Sequence, residues 1–345
     1  MSPDLQFPLT APARGGWCEV CPGVLWIRLP LPLRIDHVNV WALREQDGWT
    51  LVDTGMATAE CIAAWERLLD EALGGLPVQR VICTHRHADH VGLAGFLVRR
   101  FNCALWMTPR EYADCANAIA QAYNPPAAEV DFCRRAGWSA AALAAMPSEF
   151  GALNASISPL PSHFQPLSEG DWLQIGGARW QVLIGLGHTA AHACLHCPQL
   201  GLFIAGDQVL PGMSSNVSVV SSESDADAME AWAMSLRHIR CQVPANTLVL
   251  PSHNDCFVGL HQRIDSQLER QRSRAARLLT ALQRPSRAVD LFVCLFGREI
   301  ADDDHRALPF ATGESLANLN HLLAQGLIRR EQDEQGVWWY SADPP

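Results

Sequence analysis

The chain has 345 residues, 48% of them hydrophobic, enough for one large domain plus an accessory one. No apolar run approaches the roughly 18 residues a membrane span needs. The opening Met1-Ser2-Pro3-Asp4-Leu5-Gln6 lacks the basic start and apolar segment of a secretory signal, so a soluble cytoplasmic protein is expected. All 26 basic residues are arginine and the net charge is −10, which argues against nucleic acid or an acidic membrane as partner.

Residues 1–16, rich in Pro, Ala and Gly, read as a loose tail. Strand-like runs follow at Val24 to Leu29, Val38 to Leu43 and Trp49 to Val52, with Asp47-Gly48 as a turn signal. Ala59 to Leu73 has helical spacing, with Ile62, Trp65, Leu68, Leu69 and Ala72 on one face, and closes at Gly74-Gly75. Val78 to Cys83 reads as a short buried strand. It delivers Thr84-His85-Arg86-His87-Ala88-Asp89-His90 just before Val91 to Leu97 begins a helix.

Residues 110–165 interrupt this alternation. Glu111 to Tyr123 reads as helix, Asn124-Pro125-Pro126 breaks it, Val130 to Met146 is again helical, and Pro147 to Pro166 reads as loop. Strand character returns at Trp172 to Ile175, Trp180 to Ile184, Ala193 to Cys197 and Leu200 to Ala205, the last ending at Gly206-Asp207. Met229 to Arg240 reads as helix and Thr247 to Leu250 as the strand before His253. Such alternation fits two packed sheets flanked by helices.

From about Leu260 the composition changes. Arg263 to Leu282 is an Arg-rich helix, Ala288 to Phe296 and Glu314 to Gln325 are further helices, and Leu327 to Arg330 and Val337 to Tyr340 form two strands around a turn. Residues 262–345 carry 11 Arg against 12 Asp and Glu, whereas a phosphate-binding surface needs positive excess. A packing or homodimer-forming role is therefore favoured for this module. The 12 cysteines are expected to be reduced and largely buried. Cys18/Cys21 and Cys194/Cys197 have C-x-x-C spacing, but strand alternation would send the two thiols of each pair to opposite faces.

Imidazole nitrogens and carboxylate oxygens are the donors a zinc-like cation prefers, and the 85–90 segment crowds four of them at one strand-to-helix turn. Its H-x-H-x-D-H pattern resembles the signature of the metallo-β-lactamase superfamily. Asp53-Thr54-Gly55, Gly187-His188-Thr189, Gly206-Asp207 and Ser252-His253-Asn254 resemble that family's remaining elements, in its order. The layout is closest to the glyoxalase II-like and thioesterase-like branch with a C-terminal winged-helix-like extension.

The resemblance implies a four-layer αββα sandwich over residues 17–260, with 110–165 as an insertion overhanging the site, and a small winged-helix-like α+β module over 261–345. It implies two divalent metal ions, zinc by ligand preference, with iron or manganese also compatible. His85, His87 and His188 would hold one ion, Asp89, His90 and His253 the other, and Asp207 would bridge both. Asp53 would support the ligands from behind, His192 could do the same or simply be buried, and Gly185 and Gly187 would let the backbone bring His188 to its ion. His37 and Asn39 are read as structural. The implied activity is attack of a metal-bound hydroxide, oriented by Asp89, on a small acyl substrate such as a thioester or lactone. Trp106, Tyr112, Tyr123 and Trp138 would be walls of the acyl pocket. A metal-dependent nuclease acting on RNA is the alternative. A non-catalytic regulator sits badly with a complete ligand set, and a flavin-linked oxygen reductase with the absence of a flavin domain.

Overall fold

A computed structural model of the chain describes residues 5–342. The first four residues of the expected tail and the last three of the C-terminal module lie outside the described residues. In the rest of the tail, Gln6 exchanges two backbone hydrogen bonds with Val258, at 3.1 and 2.9 Å.

Strands β1 (Trp17–Cys21), β2 (Val24–Pro30), β3 (His37–Arg44), β4 (Trp49–Val52), β5 (Val78–Ile82), β6 (Ala104–Met107) and β7 (Gln165–Pro166) lie side by side in that order. Strands β8 (Trp172–Ile175), β9 (Ala178–Gly185), β10 (His192–Cys197), β11 (Leu202–Gly206) and β12 (Leu248–Pro251) form a second sheet, also in chain order.

The alternation along β2 and β3 builds two cores. Leu25, Ile27, Leu29, Val38, Val40 and Ala42 turn towards the helices. There they meet Cys61, Trp65 and Leu68 of α1 (Ala59–Glu71), beside Leu97 from a later helix. Val24, Trp26, Trp41 and Leu43 turn the other way, onto Leu173, Trp180, Val182, Leu195 and Ile204 of the second sheet. Burial on both faces explains why these strands read as continuous apolar runs. The result is the expected mixed α/β sandwich.

The helices follow from local signals. Thr58 caps α1, its side chain accepting from Cys61 N–H at 3.2 Å, about 1 kcal/mol for such a cap. The His-rich turn opens the short α2 (Ala88–Val91), followed by α3 (Ala94–Phe101) and α4 (Pro109–Ala120). Strand β6, absent from the sequence reading, has only a four-residue run to betray it, preceded by Asn102 in the left-handed region (φ 50°).

The expected helix from Val130 to Met146 is two helices, α5 (Ala127–Ala136) and α6 (Ala140–Glu149). Gly137 (φ 100°) ends the first, and Ser139 caps the second by accepting from Ala142 N–H. Pro147, expected to open a loop, lies inside the last turn of α6. Further on come α7 (Ala228–Gln242), α8 (Leu260–Ala281) and α9 (Phe292–Phe296). Helix α10 (Ala307–Ala324) starts well before the expected Glu314, because Pro309 falls in its first turn, where a missing N–H costs little. The antiparallel hairpin of β13 (Ile328–Gln332) and β14 (Trp338–Ala342) completes the small α+β module.

The chain divides into two compact units. One comprises Met1–Ala120, Leu153–Ser215 and Ser235–Ile264, and the other Gln121–Ala152, Asn216–Met234 and Asp265–Pro345. The 121–152 segment, expected as an insertion of the sandwich, thus clusters with the C-terminal module. Trp138 Nε1 donates to Thr312 Oγ1 at 2.8 Å, and the Arg135 guanidinium lies 5.2 Å from the Trp338 ring centroid. Among the described residues no helix is long and apolar enough to cross a membrane.

Candidate metal centre

Strands β4 and β5 run parallel, as do β11 and β12, so each pair ends on one edge of its sheet. Asp53 follows β4, the His85–His90 turn follows β5, His188 lies between β9 and β10, Asp207 follows β11 and His253 follows β12. Folding brings together two groups of side chains. His85, His87, His188 and Asp207 form one, and Asp89, His90 and His253 the other, with the donor atoms of each group within 4.8 Å of one another.

In the first group His85 Nε2 lies 2.9 Å from His87 Nδ1 and 3.3 Å from His188 Nε2. In the second, Asp89 Oδ2 lies 3.4 Å from both His90 Nε2 and His253 Nε2. Asp207 stands between the groups: Oδ2 is 3.4 Å from His188 Nε2 and 3.6 Å from His90 Nε2, while Oδ1 is 3.4 Å from His253 Nε2.

The rear nitrogens decide which way the lone pairs point. His90 Nδ1 donates to Asp53 Oδ2 at 2.8 Å, and His253 Nδ1 donates to the His37 carbonyl at 3.0 Å. The Thr84 hydroxyl donates to the Asp53 carboxylate, which leaves its oxygen to accept from His85 Nδ1 at 3.0 Å. All three imidazoles therefore turn Nε2 into the cluster, where loss of its proton exposes the lone pair that metal-ligating histidines need.

A cation fits this donor set. His90 Nε2 and Asp207 Oδ1 are buried without a hydrogen-bond partner, and such atoms are costly unless something else satisfies them.

The charge balance points the same way. Burial alone would raise the pKa of Asp89 and Asp207, yet the imidazoles of His90 and His253 hold both well below the carboxylate range. Burial alone would lower His90, but Asp89, Asp207 and Asp53 keep it well above the ordinary imidazole value. Asp207 and Asp89 likewise overcome burial to raise His253 to about 10. His85 and His87 are pushed well below by burial and by neighbouring imidazoles. Protons on one pair of histidines thus balance the carboxylates, and cations can take the place of those protons.

His192 is completely buried behind the cluster. Burial takes its pKa down to about 3, its ring stacks on His85 at 4.8 Å, and its Nε2 accepts from the Asp207 backbone N–H at 3.1 Å. Gly187 has φ 90°, in the left-handed region, immediately before His188. Gly185 serves differently: a Cβ there would lie 2.4 Å from the Gln208 side chain, so close approach rather than bending requires glycine.

Thr84, Arg28 and Ser215 escaped the sequence reading, whereas Asn39 has the structural role expected of it. Thr84 stands inside the motif, yet its relay role has no sequence signal. Buried Asn39 donates to the carbonyls of Pro251 and Asn254, at 2.8 and 2.7 Å, and Arg28 donates to Asn254 O at 3.1 Å. Together they hold the turn that carries His253, where Asn254 has φ 64°. The Ser215 hydroxyl donates to the Asp207 carbonyl.

Three of the four expected pocket aromatics pack against separate clusters, and Tyr123 packs against none of them. Trp106 sits against the inter-sheet core under Arg80, Tyr112 stacks on Phe164 at 4.1 Å, Trp138 packs with Phe292 and Leu308, and Tyr123 is half exposed. The 12 cysteines are free. Among the described residues no group of metal-ligand spacing includes one. The bulge between Glu19 and Cys21 breaks the expected alternation and sets Cys18 and Cys21 against the same core.

Two packed sheets with a histidine–aspartate cluster on their common edge define a class of metallo-hydrolase folds. Residues 33–253 match the metallo-β-lactamase superfamily, and the chain belongs to it. Residues 275–343 match the metallo-β-lactamase-like C-terminal domain.

The crystal structure of a β-lactamase domain protein from Burkholderia ambifaria is 36% identical, covers 98% of each chain and superposes with a TM-score of 0.89. The probable metallo-hydrolase YqjP of Bacillus subtilis is 26% identical over 73% of this chain and 77% of its own length. An Aspergillus fumigatus protein named atrochrysone carboxyl ACP thioesterase is 23% identical over 79% of this chain and 72% of its own.

Proposed function

We propose that the protein is a hydrolase of small acyl thioesters or lactones that works with two divalent metal ions, zinc by ligand preference. His85, His87 and His188 hold one ion, Asp89, His90 and His253 the other, and Asp207 serves both. The observation that carries this reading is the placement of Asp207, whose two oxygens address both histidine groups. A bridging carboxylate is what two neighbouring cations need to limit their repulsion. Bound cations supply a water ionised near neutral pH and a Lewis-acid contact for the substrate oxygen.

The chain's own residues do the rest. Asp53, Thr84 and the His37 carbonyl fix the imidazole tautomers. Asp89, whose Oδ2 lies 3.4 Å from His90 Nε2 and His253 Nε2, would orient the attacking water. The departing thiolate or alkoxide takes up the proton. The thioesterase name of the A. fumigatus relative supports an acyl substrate. The acidic net charge and balanced C-terminal segment weigh against RNA.

The test is a substrate panel on metal-reconstituted protein: acyl-CoA and glutathione thioesters, acyl-homoserine lactones, a phosphodiester and single-stranded RNA. Hydrolysis of a thioester or lactone, lost with chelator and restored by zinc, is expected. Turnover confined to the phosphodiester and RNA refutes the proposal.

A further inference from the structure

Glu111 is a carboxylate with no solvent exposure, set in the first turn of α4, outside both donor groups. Its Oε2 accepts from the Arg86 backbone N–H at 3.0 Å, and its Oε1 from the Ala191 N–H at 2.8 Å. Arg86 lies between His85 and His87, and Ala191 three residues beyond His188. One side chain therefore grips two ligand loops that belong to different sheets. Thr108, just before α4, donates from Oγ1 to the Ala191 carbonyl at 2.8 Å, so both polar groups of Ala191 are held from the start of this helix. The loops also touch through Ala193 N–H and the Thr84 carbonyl, at 2.8 Å.

We propose that Glu111 is a positioning residue: its single carboxylate fixes the loop of His85 and His87 against the loop of His188, and so sets the spacing of one metal's ligands. The inference rests on the metal-centre reading above.

The physical case is one of cost and geometry. A fully buried carboxylate is expensive unless its oxygens are engaged, and a glutamine of equal volume would avoid the charge. Glutamine, however, has one acceptor oxygen. Facing two N–H donors from opposite loops requires two acceptors on one rigid group, which only the ionised carboxylate supplies at this length. Charge-assisted bonds to backbone amides are also about twice as strong as neutral ones. Metal ligands tolerate displacements of only about 0.2 Å, so a brace between loops of separate sheets acts directly on affinity.

The experiment compares wild type, Glu111→Gln, Glu111→Asp and Cys115→Ala, a buried control one turn along the same helix. Hydrogen exchange on metal-free protein tests the brace itself. Glu111→Gln should speed exchange of the Arg86 or Ala191 amide at least tenfold, and unchanged exchange at both overturns the proposal.

Cadmium-113 NMR titrations then read each metal site separately. Both Glu111 variants should bind cadmium about tenfold or more weakly at the His85, His87 and His188 group, with less than about threefold change at the Asp89, His90 and His253 group. Cys115→Ala should lower thermal stability and leave both affinities in place. Wild-type affinity in the Glu111 variants, or equal loss in Cys115→Ala, overturns the proposal. Accelerated exchange in a wild-type background that binds no cadmium would instead overturn the metal-centre reading, and the positioning role with it.

Discussion

Replacing Asp53 by asparagine isolates what this carboxylate does. Asp53 is 1% exposed. Its Oδ1 accepts from Thr84 N–H at 2.8 Å, and its Oδ2 accepts from the Thr84 hydroxyl and from His90 Nδ1, both at 2.8 Å. Through Thr84 it orients His85, and directly it orients His90, so it governs one histidine of each donor group. Asparagine keeps the volume but offers one acceptor and one donor. If its oxygen faces Thr84 N–H, its NH2 faces His90 Nδ1 and forces the proton to Nε2, the atom needed for metal. If the amide turns round, its NH2 opposes the Thr84 N–H. With His90 Nε2 on a metal, one buried donor is left unpaired in either orientation, at about 1–3 kcal/mol, whereas the metal-free protein escapes through the Nε2–H tautomer.

Because the metal-bound state carries that penalty, affinity should fall about 10–100-fold, while the metal-free Asn variant unfolds at nearly the wild-type urea concentration. Asp53→Ala strips acceptors from both His90 and Thr84 and should also destabilise the fold by about 3–5 kcal/mol. Competition titrations against a chromophoric chelator, paired with urea unfolding, check both numbers. An Asp53→Asn protein that binds metal within about threefold of wild type refutes the tautomer argument.

Three further outcomes follow from the same geometry. Asp207→Ala should abolish hydrolysis and lower the metal content measured by elemental analysis, and full activity would exclude a bridging role. Gly206→Ala places a Cβ 2.3 Å from His192 Cε1 in a backbone conformation of φ 53°, so urea unfolding should register a loss of about 2–4 kcal/mol, with His192 displaced from the Asp207 N–H.

Metal-free protein should lose stability as pH rises from about 6.5 towards 10. His253 titrates at about 10 when folded, above its unfolded value, so its contribution is complete below the unfolded pKa and disappears through the folded one. Metal-loaded protein should show the opposite drift, since ligating imidazoles must be deprotonated. Denaturation midpoints at pH 6, 8 and 9.5, with and without chelator, should diverge, and parallel curves would contradict the assignment.

The candidate ligands are legible in the sequence because each follows a short apolar strand, and strand ends on one sheet edge are brought together by the topology. The groups that aim those ligands are not legible, because they come from strands remote in sequence. His253 takes its acceptor from the backbone of His37, 216 positions away, and a carbonyl leaves no trace in residue identity. The ring of His37, the part the sequence does show, instead accepts from the Asn254 N–H at 3.1 Å. The packing of Trp106 and Trp138 is hidden for a related reason: an aromatic side chain has the same composition signal in a core as in a cavity.

Register is the link between the two levels. Trp41 pairs with Val52, which sets β3 beside β4 so that the His37 carbonyl reaches His253 while Asp53, one residue past Val52, reaches His90. A slip of one residue between β3 and β4 would reverse the faces of Val38, Val40 and Ala42 and move the His37 carbonyl away from its histidine in the same step. The hydrophobic alternation that selects the fold therefore also selects the imidazole tautomers, and a core substitution in β3 that shifts register should cost metal affinity although it touches no ligand.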